Sequence, residues 1–165
     1  MSLIAVVSDS HDDLDNIAIF FDILKNYNIK AIIHCGDMAK PKTADFFLDN
    51  FSGDIHLIAG NAIINESVVA NHCQISNHCK FYPDFGELVV DDWRLAFCHF
   101  PELAETLAIS RKYQYVFYGH THKPWLKQKA GTFMANPGTL KGDIKQASFA
   151  LWDSDSGKIE LKILG

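Results

Sequence analysis

The sequence lacks any run of apolar residues long enough to cross a membrane. A transmembrane helix needs about 18 or more consecutive apolar residues, whereas the longest runs here, such as Leu3–Val7, contain five. The amino terminus also lacks the basic segment and the apolar stretch of a secretory signal. We therefore expect a cytoplasmic protein with no membrane partner.

Cysteine and positive charge are also scarce. The 165 residues include four cysteines, and a cytoplasmic location predicts that all four are thiols. Lys and Arg number 15 against 20 Asp and Glu, which gives a net charge of -5. Proteins that bind long nucleic acid depend on Lys and Arg to neutralise phosphates, so we expect no long nucleic acid as a partner. A small phosphorylated substrate, bound in one cationic pocket, is compatible with this charge.

Low-complexity segments, linkers and internal repeats are absent from the sequence as well. The length suits one domain, because domains commonly contain about 100–200 residues. We therefore predict a single domain over residues 1–165.

What the first 60 residues do contain is an alternation of short apolar runs and amphipathic helical patterns. Runs of this kind, rich in residues that favour strands, are typical of fully buried strands. They lie at Leu3–Val7, Ala31–Cys35 and Ile55–Ala59, with helical stripes at 14–24 and 44–51 between them. This order is the β-α-β signature of a parallel sheet.

The second half of the chain has a different pattern. Residues 61–85 are polar and irregular, whereas Glu87–Val90 and Trp93–Cys98 flank a two-residue turn, as in an antiparallel hairpin. Pro101 is placed to begin a helix. Further strands are predicted at Tyr115–Tyr118, Ser148–Trp152 and Lys158–Ile163. The whole pattern predicts an α/β fold, a two-sheet β-sandwich flanked by helices, with a parallel first half and an antiparallel second half.

Five of the predicted strands are followed within two residues by Asp, His or Asn. Ligands of α/β sheets bind at the carboxyl ends of strands, and desolvating so many polar groups would cost several kcal/mol unless they were paired or bound to metal. Each motif alone is weak, but five together indicate a metal site. The motifs are Asp9-Ser10-His11, Gly36-Asp37, Gly60-Asn61, His99 and Gly119-His120-Thr121-His122.

The order of these motifs resembles that of the calcineurin-like metallophosphoesterase superfamily, and more narrowly of its small bacterial and archaeal phosphodiesterases. The segment Asn136-Pro137-Gly138-Thr139 is similar to the Asn-Pro-Gly-Ser sequence of that branch. The resemblance extends from Leu3 to the C-terminal hairpin. It implies the superfamily's two-sheet sandwich and the hydrolysis of phosphate esters, phosphodiesters first, by a hydroxide that bridges two metal ions.

The resemblance also implies a role for each motif residue. The expected catalytic residues are Asp37, Asn61 and His99. Nitrogen and oxygen ligands without thiolate suit transition metals, so we expect two divalent ions, Mn first, with Fe, Ni, Co or Zn as alternatives. The implied metal ligands are Asp9, His11 and His122 for one ion, Asn61, His99 and His120 for the other, and Asp37 as the bridge.

Two positions depart from the family pattern. Many relatives have His or Cys, followed by an acidic residue, after the Gly-Asn motif, but here Ala62 and Ile63 follow it. Relatives also often have His-Gly-His at the fourth motif, where this chain has His99-Phe100-Pro101. General acid catalysis is typically worth about 10²–10⁴-fold. We therefore expect slow turnover, or a diesterase restricted to leaving groups of low pKa or to leaving groups that solvent protonates.

Two classes of function are compatible with these features. The complete ligand set favours a metal-dependent phosphodiesterase. The missing acid favours a non-catalytic protein-interaction scaffold with a vestigial or regulatory metal site, since the superfamily includes a retromer subunit of that kind. A nuclease of long DNA or RNA is a weaker reading because no basic stripe is visible. The bacterial relatives leave a homo-oligomer open.

Other histidines and cysteines have simpler interpretations. His34 and His56 lie in or beside predicted strands, and we interpret them as packing or hydrogen-bonding residues. Asn71-His72-Cys73 and Asn77-His78-Cys79 could form a zinc site, but their spacing matches no zinc knuckle, and a polar surface loop is the alternative. Lys123 either contacts phosphate or is solvated.

Overall fold

The computed structural model describes residues 2–142 and 146–165. The helices of these ranges are α1 (Leu14–Leu24), α2 (Pro41–Asn50), α3 (Glu66–Ile75) and α4 (Pro101–Ile109). Their strands are β1 (Leu3–Val7), β2 (Ile29–His34), β3 (Asp54–Ile58), β4 (Cys79–Tyr82), β5 (Phe85–Val90), β6 (Trp93–Cys98), β7 (Tyr115–Phe117), β8 (Trp125–Lys129), β9 (Thr132–Asn136), β10 (Ser148–Asp153) and β11 (Ile159–Ile163). Of the helices described, none combines the length and apolarity needed to span a bilayer.

The strands form two sheets, as predicted. The six-stranded sheet has the order β11-β10-β1-β2-β3-β4, and the five-stranded sheet has the order β5-β6-β7-β9-β8. In the six-stranded sheet β1 to β4 are parallel, and β10 and β11 are antiparallel. The α/β sandwich flanked by helices is thus confirmed.

The prediction of an antiparallel second half is only partly correct. The β5–β6 hairpin and the β8–β9 pair are antiparallel, but β6–β7 and β7–β9 are parallel. Helix α4 accounts for the difference, because it carries the chain from the end of β6 back to the start of β7. Such a crossover is what a parallel pair requires.

The buried side chains alternate between two apolar layers. Ile4 and Val6 of β1 belong to the core between the two sheets, whereas Ala5 and Val7 face the layer beneath α1 and α2. Successive side chains of a strand point to opposite faces, so a strand buried on both faces appears as a continuous apolar run. A third layer packs α4 against the outer face of the five-stranded sheet.

The segment predicted to be irregular, residues 61–85, contains α3 and β4. In α3 only Val69 and Cys73 are buried, so no apolar stripe marks the helix. Cys73 forms a disulfide with Cys79 of β4, which makes the prediction of four thiols wrong. It also removes both sulfurs from the zinc site considered above. Cys35 and Cys98 are buried free thiols, as expected.

Candidate metal centre

The candidate ligands lie where strands of the two sheets end. Asp9, Asp37 and Asn61 follow β1, β2 and β3, which are parallel neighbours. His99 follows β6, and His120 follows β7, the parallel neighbour of β6. The two groups meet at one edge of the sandwich, where the backbone N–H of His120 donates to Asp9 Oδ2 at 3.0 Å.

The first cluster contains Asp9, His11 and His122. His122 Nε2 lies 3.1 Å from Asp9 Oδ1 and 3.3 Å from His11 Nε2. His11 Nε2 lies 3.8 Å from Asp9 Oδ1. One potential ligand atom from each residue therefore faces a common point, and a group of this kind could hold a metal ion.

The second cluster contains Asn61, His99 and His120. Asn61 Oδ1 lies 3.0 Å from His99 Nε2 and 3.1 Å from His120 Nδ1. The two imidazole nitrogens are 3.2 Å apart. An amide oxygen and two ring nitrogens thus converge where the second ion is expected.

Asp37 lies between the clusters. Its Oδ2 is 3.3 Å from His99 Nε2 and 3.9 Å from His11 Nε2, so one oxygen faces both groups. Its Oδ1 accepts the backbone N–H groups of Asn61 and Ala62, each at 2.7 Å. These two hydrogen bonds fix the carboxylate with Oδ2 directed toward both clusters.

Asp9 provides a direct test of whether the residues suit a cation. Its side chain is fully buried, and its Oδ1 accepts no hydrogen bond although His122 Nε2 is 3.1 Å away. A buried acceptor without a partner costs about 1–3 kcal/mol, and more when it is charged. A cation held between Asp9 and the neighbouring imidazoles would remove this cost. The donor set therefore fits divalent metal ions.

Electrostatic interactions couple His99 to Asp37. Burial favours neutral His99, but the hydrogen bond and charge of Asp37 outweigh burial and raise the pKa of His99. Burial also favours neutral Asp37, but the hydrogen bonds from His99, Ala62 and Asn61 hold the pKa of this carboxyl well below its usual range. Because a metal ligand must be a neutral imidazole, the protonated form of His99 that Asp37 favours would compete with metal binding.

The backbone is strained at the same positions. Side chains with a Cβ rarely adopt positive φ, and strained backbone concentrates at functional sites. Five candidate ligands have φ between +41° and +68°: Asp9, His11, Asp37, His120 and His122.

Comparison with known proteins identifies the family. The family model of the calcineurin-like phosphoesterase superfamily domain matches residues 2–157. The chain belongs to this superfamily. A phosphodiesterase of Methanocaldococcus jannaschii is 28% identical over 141 residues, which are 84% of each chain.

Solved structures show the shared fold of the superfamily. A structure described as a novel archaeal phosphodiesterase superposes with a TM-score of 0.90 at 24% identity, covering 98% of this chain and 99% of the other. Vps29 of Chaetomium thermophilum superposes with a TM-score of 0.73 at 17% identity, covering 99% and 96%.

Residues outside the candidate ligand set hold the loops of this phosphoesterase domain in place. Thr139 Oγ1 donates to the backbone oxygen of Asp9 at 2.7 Å, and Asn136 Nδ2 donates to that of Gly119 at 2.8 Å. The Asn136–Thr139 segment, which carried part of the resemblance, thus ties together the loops after β1 and β7.

His34 is a hydrogen-bonding residue, as interpreted from the sequence, and it supports the loops after β1 and β2. The Gly36 N–H donates to His34 Nδ1 at 3.2 Å, which leaves Nε2–H to donate to Ser10 Oγ at 2.9 Å. His34 is fully buried, and burial lowers its pKa to about 4. The only sequence signal for this role is the position of His34 at the end of β2, three residues before Asp37.

The rim beside Asn61 is apolar. Ala62 and Ile63 occupy the positions where many relatives have a proton donor and an acid, and Ile64 is 50% exposed. Phe100 is 39% exposed, and its ring centroid lies 5.0 Å from that of His99. Apolar groups therefore lie beside Asn61 and His99.

Proposed function

We propose that this protein hydrolyses phosphate esters, phosphodiesters first, at a dinuclear metal site. One observation carries the proposal: two clusters of three potential ligand atoms lie on either side of Asp37 Oδ2. The superfamily and the M. jannaschii phosphodiesterase support the same reaction class.

The chain's own residues would hold and orient the metal ions. Two bound divalent cations would draw charge from the phosphate oxygens and make a hydroxide nucleophile available near neutral pH. We infer Mn first, with Fe, Ni, Co or Zn as alternatives, because imidazole, amide and carboxylate ligands without thiolate suit these metals. The proposed ligands are Asp9, His11 and His122 for one ion, Asn61, His99 and His120 for the other, and Asp37 for both.

A hydrogen bond to the backbone would keep His99 oriented for metal binding. His99 Nδ1 donates to the backbone oxygen of Cys35 at 2.8 Å, so Nε2 faces the centre. Such a partner on the far nitrogen orients a metal-binding imidazole. Asp9, Asp37 and His99 are buried, whereas Asn61 and His120 are exposed. A phosphate would therefore approach from the side of Asn61 and His120.

The apolar rim limits which leaving groups can depart. Ala62 and Ile63 cannot donate a proton to the leaving oxygen, so the expelled group must be a weak base or take a proton from solvent. We therefore propose a diesterase that favours leaving groups of low pKa, such as p-nitrophenolate.

The test is hydrolysis of bis-p-nitrophenyl phosphate by metal-stripped protein before and after Mn²⁺ is added. Asp37→Ala should abolish the metal-dependent rate. Asp92→Ala removes the same charge from an exposed turn at the opposite end of β6, so it should leave the rate unchanged. Equal loss in both variants, or no loss in Asp37→Ala, would contradict the proposal.

A non-catalytic scaffold with a vestigial or regulatory metal site is the second candidate. The apolar Ala62 and Ile63 favour it, because they lack the chemistry that many relatives have there. Measurement of diester hydrolysis distinguishes the hydrolase from the scaffold. A scaffold would bind Mn²⁺ and show no hydrolysis with any of the transition metals named above.

A further inference from the structure

A depression beside the candidate metal centre has no part in the proposed chemistry. It has a volume of about 260 Å³ and is lined by Tyr118, Thr121, Lys123 and Trp125. Thr121 stands between His120 and His122 in the chain, so the depression borders the proposed ligands. Pockets for drug-sized ligands measure about 300–1,000 Å³. This smaller volume suits one ring system rather than a long chain.

Trp125 forms a fixed platform in this depression. Its side chain is 43% exposed, yet its indole N–H donates to the Tyr118 hydroxyl at 2.6 Å. Lys127 Nζ lies 5.1 Å from the centre of the Trp125 ring and 2.9 Å from Glu105 Oε1 of α4. The Tyr118 hydroxyl therefore holds the N–H edge of the ring and Lys127 lies over one face, while much of the remaining ring surface is exposed to solvent. Exposed aromatic rings fixed in this way stack on flat ring ligands.

Lys123 adds a positive charge to the same depression. Its side chain is exposed, and the chain as a whole carries a net charge of -5. A lysine beside an aromatic platform would attract an anionic group to this place, and the proposed metal ions would add to the attraction. The three features match an aromatic ring joined to a phosphate.

We propose that the depression binds the aromatic ester group of the substrate, with Trp125 stacked on the ring and Lys123 near the phosphate. This inference rests on the proposed function and narrows it to aryl or nucleoside phosphodiesters. Trp125 would be a specificity-determining residue.

Binding of simple monophosphates tests the inference without turnover. In the presence of Mn²⁺, calorimetry would compare methyl phosphate, phenyl phosphate and a nucleoside 5′-monophosphate. We expect the two aromatic ligands to bind about 10-fold more tightly than methyl phosphate, as stacking on one aromatic side chain allows. Equal gains for both would identify any aryl ring as sufficient, and a larger gain for the nucleotide would identify the nucleobase.

Variants on β8 provide the controls. Trp125→Ala should remove the preference for aromatic ligands, and Trp125→Phe, which keeps a flat ring, should retain most of it. Leu126→Ala is the matched control: Leu126 is also exposed, at 45%, but neighbouring strand residues point to opposite faces. It should leave all three affinities unchanged.

The outcomes separate this inference from the proposed function. An aromatic preference that depends on Trp125, without hydrolysis of any diester, would support the pocket and contradict the hydrolase. Hydrolysis by wild type with equal affinity for methyl and phenyl phosphate would overturn the pocket and leave the hydrolase standing. No binding of any monophosphate, or a preference that survives Trp125→Ala, would also overturn the pocket.

Discussion

Replacing Gly60 by alanine should disable the metal centre through one contact. Gly60 has φ of +78°, and a Cβ there would lie 2.3 Å from Asp37 Oδ1 and 2.5 Å from the Asp37 backbone nitrogen. No real Cβ tolerates these distances, and a backbone nitrogen cannot move aside cheaply. The carboxylate of Asp37 must therefore shift from the place where the N–H groups of Asn61 and Ala62 hold it.

The size of the effect follows from two contributions. A residue with a Cβ in the left-handed region costs about 1–2 kcal/mol. Losing one of the hydrogen bonds to the charged Asp37 costs about 1.5–3 kcal/mol more. If the free energy of the lost hydrogen bond reduces metal binding, the affinity for Mn²⁺ drops about 10- to 100-fold.

Gly131→Ala separates the contact from the backbone strain. Gly131 also has positive φ, at +92°, but nothing lies within 4 Å of the position that its Cβ would take. In denaturant unfolding, both variants should lose a similar amount of unfolding free energy through backbone strain, and Gly60→Ala should lose more because of the contact with Asp37. Calorimetric Mn²⁺ titration and diester hydrolysis should fail only in Gly60→Ala. If both variants bind Mn²⁺ equally well, the contact with Asp37 does not control the site.

Three further predictions concern pH and the leaving group. Asp37 raises the pKa of His99, so His99 should begin to take up a proton at a pH higher than the ordinary histidine pKa of about 6.5. As the pH is lowered, Mn²⁺ affinity should therefore already decrease before the pH reaches about 6.5. Calorimetry at a series of pH values that shows no decrease down to about pH 6 would contradict the coupling. Because burial lowers the pKa of His34 to about 4, this neutral histidine should cost the protein on the order of 3 kcal/mol of unfolding free energy between pH 6.5 and 4. As the pH is lowered, the unfolded state takes up the proton before the folded state does, so the free energy of unfolding decreases. Denaturant unfolding of His34→Gln should show a smaller decrease over this pH range than wild type. Hydrolysis rates of aryl diesters should fall steeply as leaving-group pKa rises, and Ala62→His should weaken that dependence; rates independent of leaving-group pKa would show that the protein supplies an acid elsewhere.

Strong local patterns made most of the fold predictable. β1 is apolar along its length because both of its faces are buried, and α1 shows a clear stripe because it covers one sheet. Helix α3 buries only Val69 and Cys73, and β4 has four residues. Such elements depend on packing against neighbours, here α2 and β3, more than on their own propensity.

The sequence predicts which polar residues lie together at the candidate site, but it does not predict their geometry. Each ligand type follows an apolar run, and the end of the run marks the edge of the sheet. What orients the side chains comes from backbone groups distant in sequence, such as the Cys35 carbonyl that accepts from His99. The tight approach of Gly60 to Asp37 is equally invisible in a linear motif.

The wrong predictions concerned how particular elements pack and pair with each other. The disulfide between Cys73 and Cys79 depends on where the end of α3 meets β4, which composition and compartment cannot show. The parallel β6–β7 pair depends on the crossover through α4.

The central claim, that hydrolysis needs a dinuclear site, is tested most directly by activity against metal content. Metal-stripped protein would receive Mn²⁺ in fractions of an equivalent while the initial rate of bis-p-nitrophenyl phosphate hydrolysis is measured. We predict a rate that stays low through the first equivalent, rises through the second and then levels off. Full activity at one equivalent would contradict the dinuclear site, and uptake of both equivalents without hydrolysis would contradict the enzyme and favour the scaffold.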